Sequence, residues 1–157
     1  MDFDGTYHLN ATPTEVWQAL NSEDILARCI PGCDCVEKQE DGRFAASVVL
    51  RIGPIKARFH GTVRIEEISP LQQYLLEGEG KGGVAGFARG EARLDLLCEG
   101  DGTRLTYHVQ ARIGGKIAQL GSRMLQSTVQ KLSDTFFQNL TAALDQTTAD
   151  IALEAKT

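Results

Sequence analysis

The apolar residues of this chain follow two different periods, and the switch between them leaves few possible folds. Phe44, Ala46, Val48, Leu50 and Ile52 alternate with polar neighbours such as Arg43 and Arg51. After a Gly53-Pro54 turn the pattern resumes: Ile55, Ala57, Phe59, Gly61, Val63 and Ile65 alternate against Lys56, Arg58, His60, Thr62, Arg64 and Glu66. A period of two means extended strands with one buried face and one solvated face. From about Lys116 the period changes. Ile117, Leu120, Met124, Leu125, Leu132, Phe136, Leu140 and Leu144 recur at three- and four-residue steps. That spacing predicts one amphipathic helix running to about residue 146, roughly 45 Å long at 1.5 Å per residue.

The remaining elements fit around these two. Phe3, Gly5, Tyr7 and Leu9 alternate as an opening strand. Thr12-Pro-Thr-Glu15 is a capping box with proline at the first helical position, so a short helix covers about 13–20. Ser22-Glu-Asp starts a second short helix that ends before Pro31-Gly32. Further strands are expected over about 73–79, 88–98 and 103–112, the last two joined by the Glu99-Gly-Asp-Gly102 turn. The long helix has one natural resting place, the apolar concave face of the sheet. The expected class is therefore α+β with a helix-grip architecture. A curved antiparallel sheet of about seven strands wraps one long C-terminal helix, and two short helices follow the first strand. Residues 1–146 form a single domain, and the polar stretch 147–157 is read as a frayed tail.

A net charge of −5 and a pI near 5.2 argue against nucleic acid as a partner. No run resembles a signal peptide or reaches the length of a membrane span, so cytoplasmic residence is the expectation. Cys29, Cys33, Cys35 and Cys98 are read as free thiols. The C-x3-C-x-C spacing lacks the second pair that a zinc site uses, so no metal is expected.

Six glycines fall between Gly78 and Gly90. Gly78, Gly80 and Gly83 satisfy G-x-G-x-x-G, but the residues after them alternate like a strand rather than opening a helix, which excludes a phosphate cradle. On the inward phase, Gly61, Gly78, Gly80, Ala88, Gly90 and Ala92 stand where a filled core has Leu, Val or Phe. Two readings stand. These small residues let backbone approach closely or kink a curved sheet, or they leave an apolar pocket. Their clustering on three neighbouring strands favours the pocket.

The strand phase turns His8, His60 and His108 away from the interior, and leaves Tyr74, Tyr107 and Cys98 as its polar handles. No Asp, Glu, Lys or Arg shares that phase, so the strands offer no interior acid or base. Val84 and Phe87 lie at a glycine-flanked hairpin tip beside Lys81 and Arg89. Such a tip marks a partner or membrane contact, or Phe87 folds back onto the core. Trp17 reads as a core anchor of the first helix.

Ala27-Arg-Cys-Ile-Pro-Gly-Cys33, Gly53-Pro-Ile-Lys-Ala-Arg-Phe59, the Gly78–Glu91 glycine segment and Gln119-Leu-Gly-Ser-Arg123, taken together, resemble the G subunit of aerobic carbon monoxide dehydrogenase. That family lies in the START-like, or polyketide cyclase/Bet v 1-like, superfamily, and the resemblance covers residues 1 to about 146. It implies a non-catalytic accessory protein of a molybdenum hydroxylase, one that recruits the enzyme to the inner face of the membrane. Combined with the thin interior, it implies an apolar ligand, a respiratory quinone such as menaquinone or another lipid, and no covalent cofactor. The ligand's tail would lie along Val63, Ala92, Leu94, Met124, Leu125 and Phe136, with Tyr107 or Tyr74 donating to a carbonyl. Pro31, Gly32 and the 80–87 hairpin would frame the mouth. Some members carry a C-terminal extension suited to anchoring. Here Ile151–Thr157 is short and polar, so either membrane contact is transient or the chain is truncated. A ligand-free recruitment adaptor and a cyclase- or hydrolase-like enzyme are the alternatives.

Overall fold

A computed structural model describes residues 1–155, with side chains described through residue 146. The elements are β1 (Asp2–Leu9), α1 (Pro13–Leu20), α2 (Glu23–Cys29), β2 (Cys33–Lys38), β3 (Phe44–Ile52), β4 (Ile55–Ser69), β5 (Gln73–Lys81), β6 (Phe87–Glu99), β7 (Gly102–Gly114) and α3 (Ser122–Ala155). Short 3₁₀ turns occupy Gly83–Ala85 and Lys116–Leu120. All seven strands form one antiparallel sheet in the order β1-β7-β6-β5-β4-β3-β2.

Local chemistry fixes the two short helices. The Thr12 hydroxyl accepts the Glu15 N–H at 3.2 Å, and the Glu15 carboxylate accepts the Thr12 N–H at 3.2 Å. Ser22 caps α2 by accepting the Ile25 N–H. Neither helix is long enough to persist alone, so packing completes the work. Val16 and Ala19 of α1 and Cys29 of α2 are buried against β5, β6, β7 and the C-terminal half of α3. The buried Thr103 hydroxyl ties β7 to the loop before α1 through the Ala11 carbonyl, 2.7 Å away.

Two apolar clusters result. The larger holds Leu94, Leu96, Leu105, Tyr107, Phe137, Leu140 and Leu144 among others. The smaller, at the other end of the sheet, gathers Ile52, Phe59, Ala85, Ile117 and Leu125.

Two elements differ from the sequence reading. The strand β2 has no clear signature in the sequence, because Cys-Asp-Cys-Val-Glu-Lys buries only Val36 and carries a register shift between Cys33 and Cys35. The helix α3 continues to Ala155 rather than ending near residue 146. No glycine or proline interrupts the chain after Gly121, and alanine, leucine and glutamate are strong helix formers. Lys156 and Thr157 of the expected frayed tail lie outside the described residues.

Candidate functional site: an apolar cavity between sheet and helix

Between the two clusters lies a cavity of about 470 Å³. Its floor is the concave sheet face, from Leu94 and Tyr107 through Ala92, Leu76 and Ile65 to Val63, Gly61 and Ala46. Its roof is α3 at Leu132, Ser133, Phe136 and Phe137, and α1 and α2 close one side with Trp17, Leu20, Leu26 and Ile30. Of the lining residues only Trp17, Tyr107 and Ser133 carry a polar side-chain atom, and the Tyr107 hydroxyl lies over Gly5 of β1, beside Tyr7. Small residues leave the space: Leu or Phe at Gly61, Ala46 or Ala92 would occupy it.

The expected site residues divide. Gly61, Val63, Ala92, Leu94, Tyr107, Phe136 and Pro31 line the cavity. Tyr74 does not. It is fully buried, its ring stacks on Trp17 at 3.7 Å, and its hydroxyl accepts the Leu71 N–H at 2.7 Å. That bond holds a turn in which Leu71 sits at φ 59°, so Tyr74 stabilises the β4–β5 connection. Gly78 and Gly90 instead border an open groove of about 760 Å³ on the convex outer face, among arginines and glutamates. Gly80 and Ala88 pair with each other but are not part of the cavity wall. Leu125 is buried in the smaller cluster, and the half-exposed Met124 packs over the backbone of Gly53. Sequence periodicity does not separate these two from Phe136, since all three lie on one helix with a broad apolar stripe.

At the expected mouth, Gly32 takes φ 71° and its carbonyl accepts the Val49 N–H at 2.8 Å, a turn role. Lys81 and Arg89 project from the outer face. The tip is exposed: Val84 shows 85% of its surface and Phe87 shows 41%, its ring lying against Gly114. Phe87 therefore does not fold back into the core. Cys98, inward by strand phase, is exposed at the end of β6.

Three residues escape the sequence reading. Trp17 lines the cavity as well as anchoring α1, and Ser133 joins it from α3. Asp134 brings a carboxylate inward from the helix, where strand phase gives no signal. It accepts the Tyr7 hydroxyl at 2.7 Å and the Gln130 amide at 2.9 Å. Burial foremost, then the bond to Asp134 and the adjacent Tyr107, push the Tyr7 hydroxyl well above its ordinary pKa. Asp134 is thus engaged at the β1–α3 seam and is not part of the cavity wall.

A family model for the G subunit of carbon monoxide dehydrogenase (CoxG) matches residues 5–145. The chain belongs to the CoxG family. Among solved structures, a conserved protein from Geobacillus kaustophilus shares 31% identity, with 93% of this chain and 96% of that one covered at a TM-score of 0.86. A START superfamily protein from Mycobacterium smegmatis matches at 12% identity over 92% of this chain and 97% of that one, TM-score 0.70. Ara h 8.0201 matches at 14% identity over 93% of this chain and 98% of that one, TM-score 0.65. These last two share the fold, the START/Bet v 1-like helix grip, which this CoxG chain adopts. No curated protein matches the chain at a significant level. Among the described residues, no helix is long and apolar enough to cross a membrane.

Proposed function

We propose that this CoxG family member is a non-catalytic accessory protein of a molybdenum hydroxylase of the carbon monoxide dehydrogenase type. It binds an apolar molecule, a respiratory quinone such as menaquinone, between sheet and helix, and links the enzyme to the inner face of the membrane. The observation that carries this reading is the cavity wall, in which all but three residues present only carbon side chains or bare backbone. Each buried methylene contributes ~0.8 kcal/mol, so two isoprenoid units of about ten carbons contribute ~8 kcal/mol, a micromolar affinity before ordering costs. The exposed Val84–Phe87 tip supplies the membrane contact, where an apolar side chain enters the headgroup boundary without spanning it. Family membership supports the choice of enzyme partner.

The test is organic extraction and mass spectrometry of protein purified from quinone-containing cells, with Ala92→Phe as control. A near-stoichiometric quinone or lipid in the wild type and its loss in the variant support the carrier. An empty wild-type extract that also takes up no added menaquinone overturns it and leaves the ligand-free adaptor.

A further inference from the structure

Acidic and basic residues are unevenly placed along this chain. The segments 47–60, 80–90 and 111–125 hold eight of its sixteen Lys and Arg and none of its twenty-one Asp and Glu. The fold brings all three to one end. They are the β3–β4 hairpin, the β5–β6 hairpin, and the passage from β7 through the second 3₁₀ turn into α3. The smaller apolar cluster ties them together, taking Ile52 and Phe59 from the first, Ala85 from the second, and Ile117 and Leu125 from the third.

Asp34 and Ser47 engage Arg58. The other seven cations of this end are exposed and make no ion pair or side-chain hydrogen bond among the described residues. Arg51 stands opposite Lys56 beside the β3–β4 turn, Lys81 and Arg89 flank the Val84 tip, and Lys116 and Arg123 follow β7. Arg89 also stands opposite Arg112, a like-charge pairing that an approaching anion relieves. Glu79, opposite Arg89 on the other side, marks the border of the basic end. Among these cations Val84, Phe87 and Met124 are exposed. The rest of the chain carries eight Lys and Arg against all twenty-one acids, so the molecule has two poles.

We infer that this end is a docking face for anionic bilayer lipid, with headgroup phosphates against the cations and Val84 entering the boundary beneath them. The inference deepens the membrane contact of the proposed function and rests on it, but not on the carrier reading. Nucleic acid or an acidic protein surface would pair with the cations yet leave the Val84 tip without an apolar partner. The edge of a bilayer takes both, since lysines and arginines there meet phosphate while apolar side chains reach the acyl boundary. The acidic remainder is repelled by the same surface, so the protein binds in one orientation, tip down.

The experiment is co-sedimentation of the full chain with phosphatidylcholine vesicles, with and without phosphatidylglycerol. Phosphatidylglycerol is expected to raise binding about tenfold or more at about 0.1 M salt. The gain should vanish near about 1 M, where the Debye length shrinks from about 10 Å to about 3 Å. Each Lys or Arg near an anionic surface contributes about fivefold in affinity. Lys56→Glu with Lys116→Glu, two exposed positions outside the smaller cluster, is therefore expected to weaken binding to the anionic vesicles about 10- to 30-fold. Arg28→Glu with Arg93→Glu makes the same change in net charge at exposed positions outside the three segments, and stays within about 3-fold of wild type. Equal, salt-insensitive binding to both vesicles overturns the basic face and leaves the apolar tip as the contact. Losses of equal size in the two double variants overturn it too, because net charge rather than this end then sets binding. No sedimentation with either vesicle overturns the membrane contact as well and leaves the seven cations to an acidic protein partner. The lipid and salt comparisons use the unaltered chain, so they decide the question even where a charge reversal impairs folding.

Discussion

A Cβ built on Gly90 would lie 2.1 Å from the carbonyl oxygen of Gln110 on the neighbouring strand. The β6 and β7 backbones crowd together there, so this glycine serves sheet curvature rather than cavity volume. Gly80, two strand rows away on β5, would meet nothing within 4 Å. Gly90→Ala is therefore expected to cost about 1–3 kcal/mol in urea unfolding, while Gly80→Ala stays within about 0.5 kcal/mol of wild type. Equal losses at the two positions contradict this crowding.

Ala92 already carries a Cβ at the cavity wall. Ala92→Leu is expected to hold or raise the stability of ligand-free protein, by up to ~1 kcal/mol, because it fills empty apolar space. The same change should lower the co-purifying ligand several-fold. Thermal unfolding and extraction on one preparation check both halves.

Val84 is the most exposed large apolar residue described. Val84→Glu is expected to weaken sedimentation with anionic phosphatidylglycerol vesicles severalfold without moving the unfolding midpoint. Unchanged sedimentation removes the tip from the membrane contact.

Burial and the Asp134 bond raise the Tyr7 pKa above its ordinary 10.0. The folded protein thus holds this proton more tightly than the unfolded chain. Its contribution to stability is complete below pH 10.0 and is lost as pH climbs from there toward the raised folded value. Tyr7→Phe should flatten the decline in stability between about pH 9 and about pH 11. Urea titrations of both proteins across that range check the sign, and parallel curves count against it.

Removing the α1 cap isolates a purely local effect. Thr12→Ala deletes the hydroxyl that accepts the Glu15 N–H, and about 1 kcal/mol of stability should go with it, read as a lower urea midpoint.

The fold is legible because its signals are one-dimensional. Strict alternation in β3 and β4, the Thr12–Glu15 box and the three- and four-residue steps of α3 each declare an element without reference to any other. The site is legible only in part. Strand phase marks Gly61, Val63, Ala92 and Tyr107 as inward, and they line the cavity. Phase cannot say which inward glycine faces emptiness and which faces backbone, the distinction that separates Gly80 from Gly90. Nor does it reach groups delivered from helices. Trp17, Ser133 and Asp134 take their places through the docking of α1 and α3, a three-dimensional fact with no local signature. Tyr74 meets a related limit: its direction is inward, but the Trp17 ring covers it and the Leu71 N–H engages its hydroxyl.

Trp17 is the chain's single tryptophan, and it lines the cavity wall. The protein therefore carries its one indole fluorophore beside the space where cargo would sit. Its emission maximum reports whether that space is wet, and quenching by an electron-accepting guest reports loading. Filling and emptying can be followed in real time, including transfer to vesicles, with no label attached.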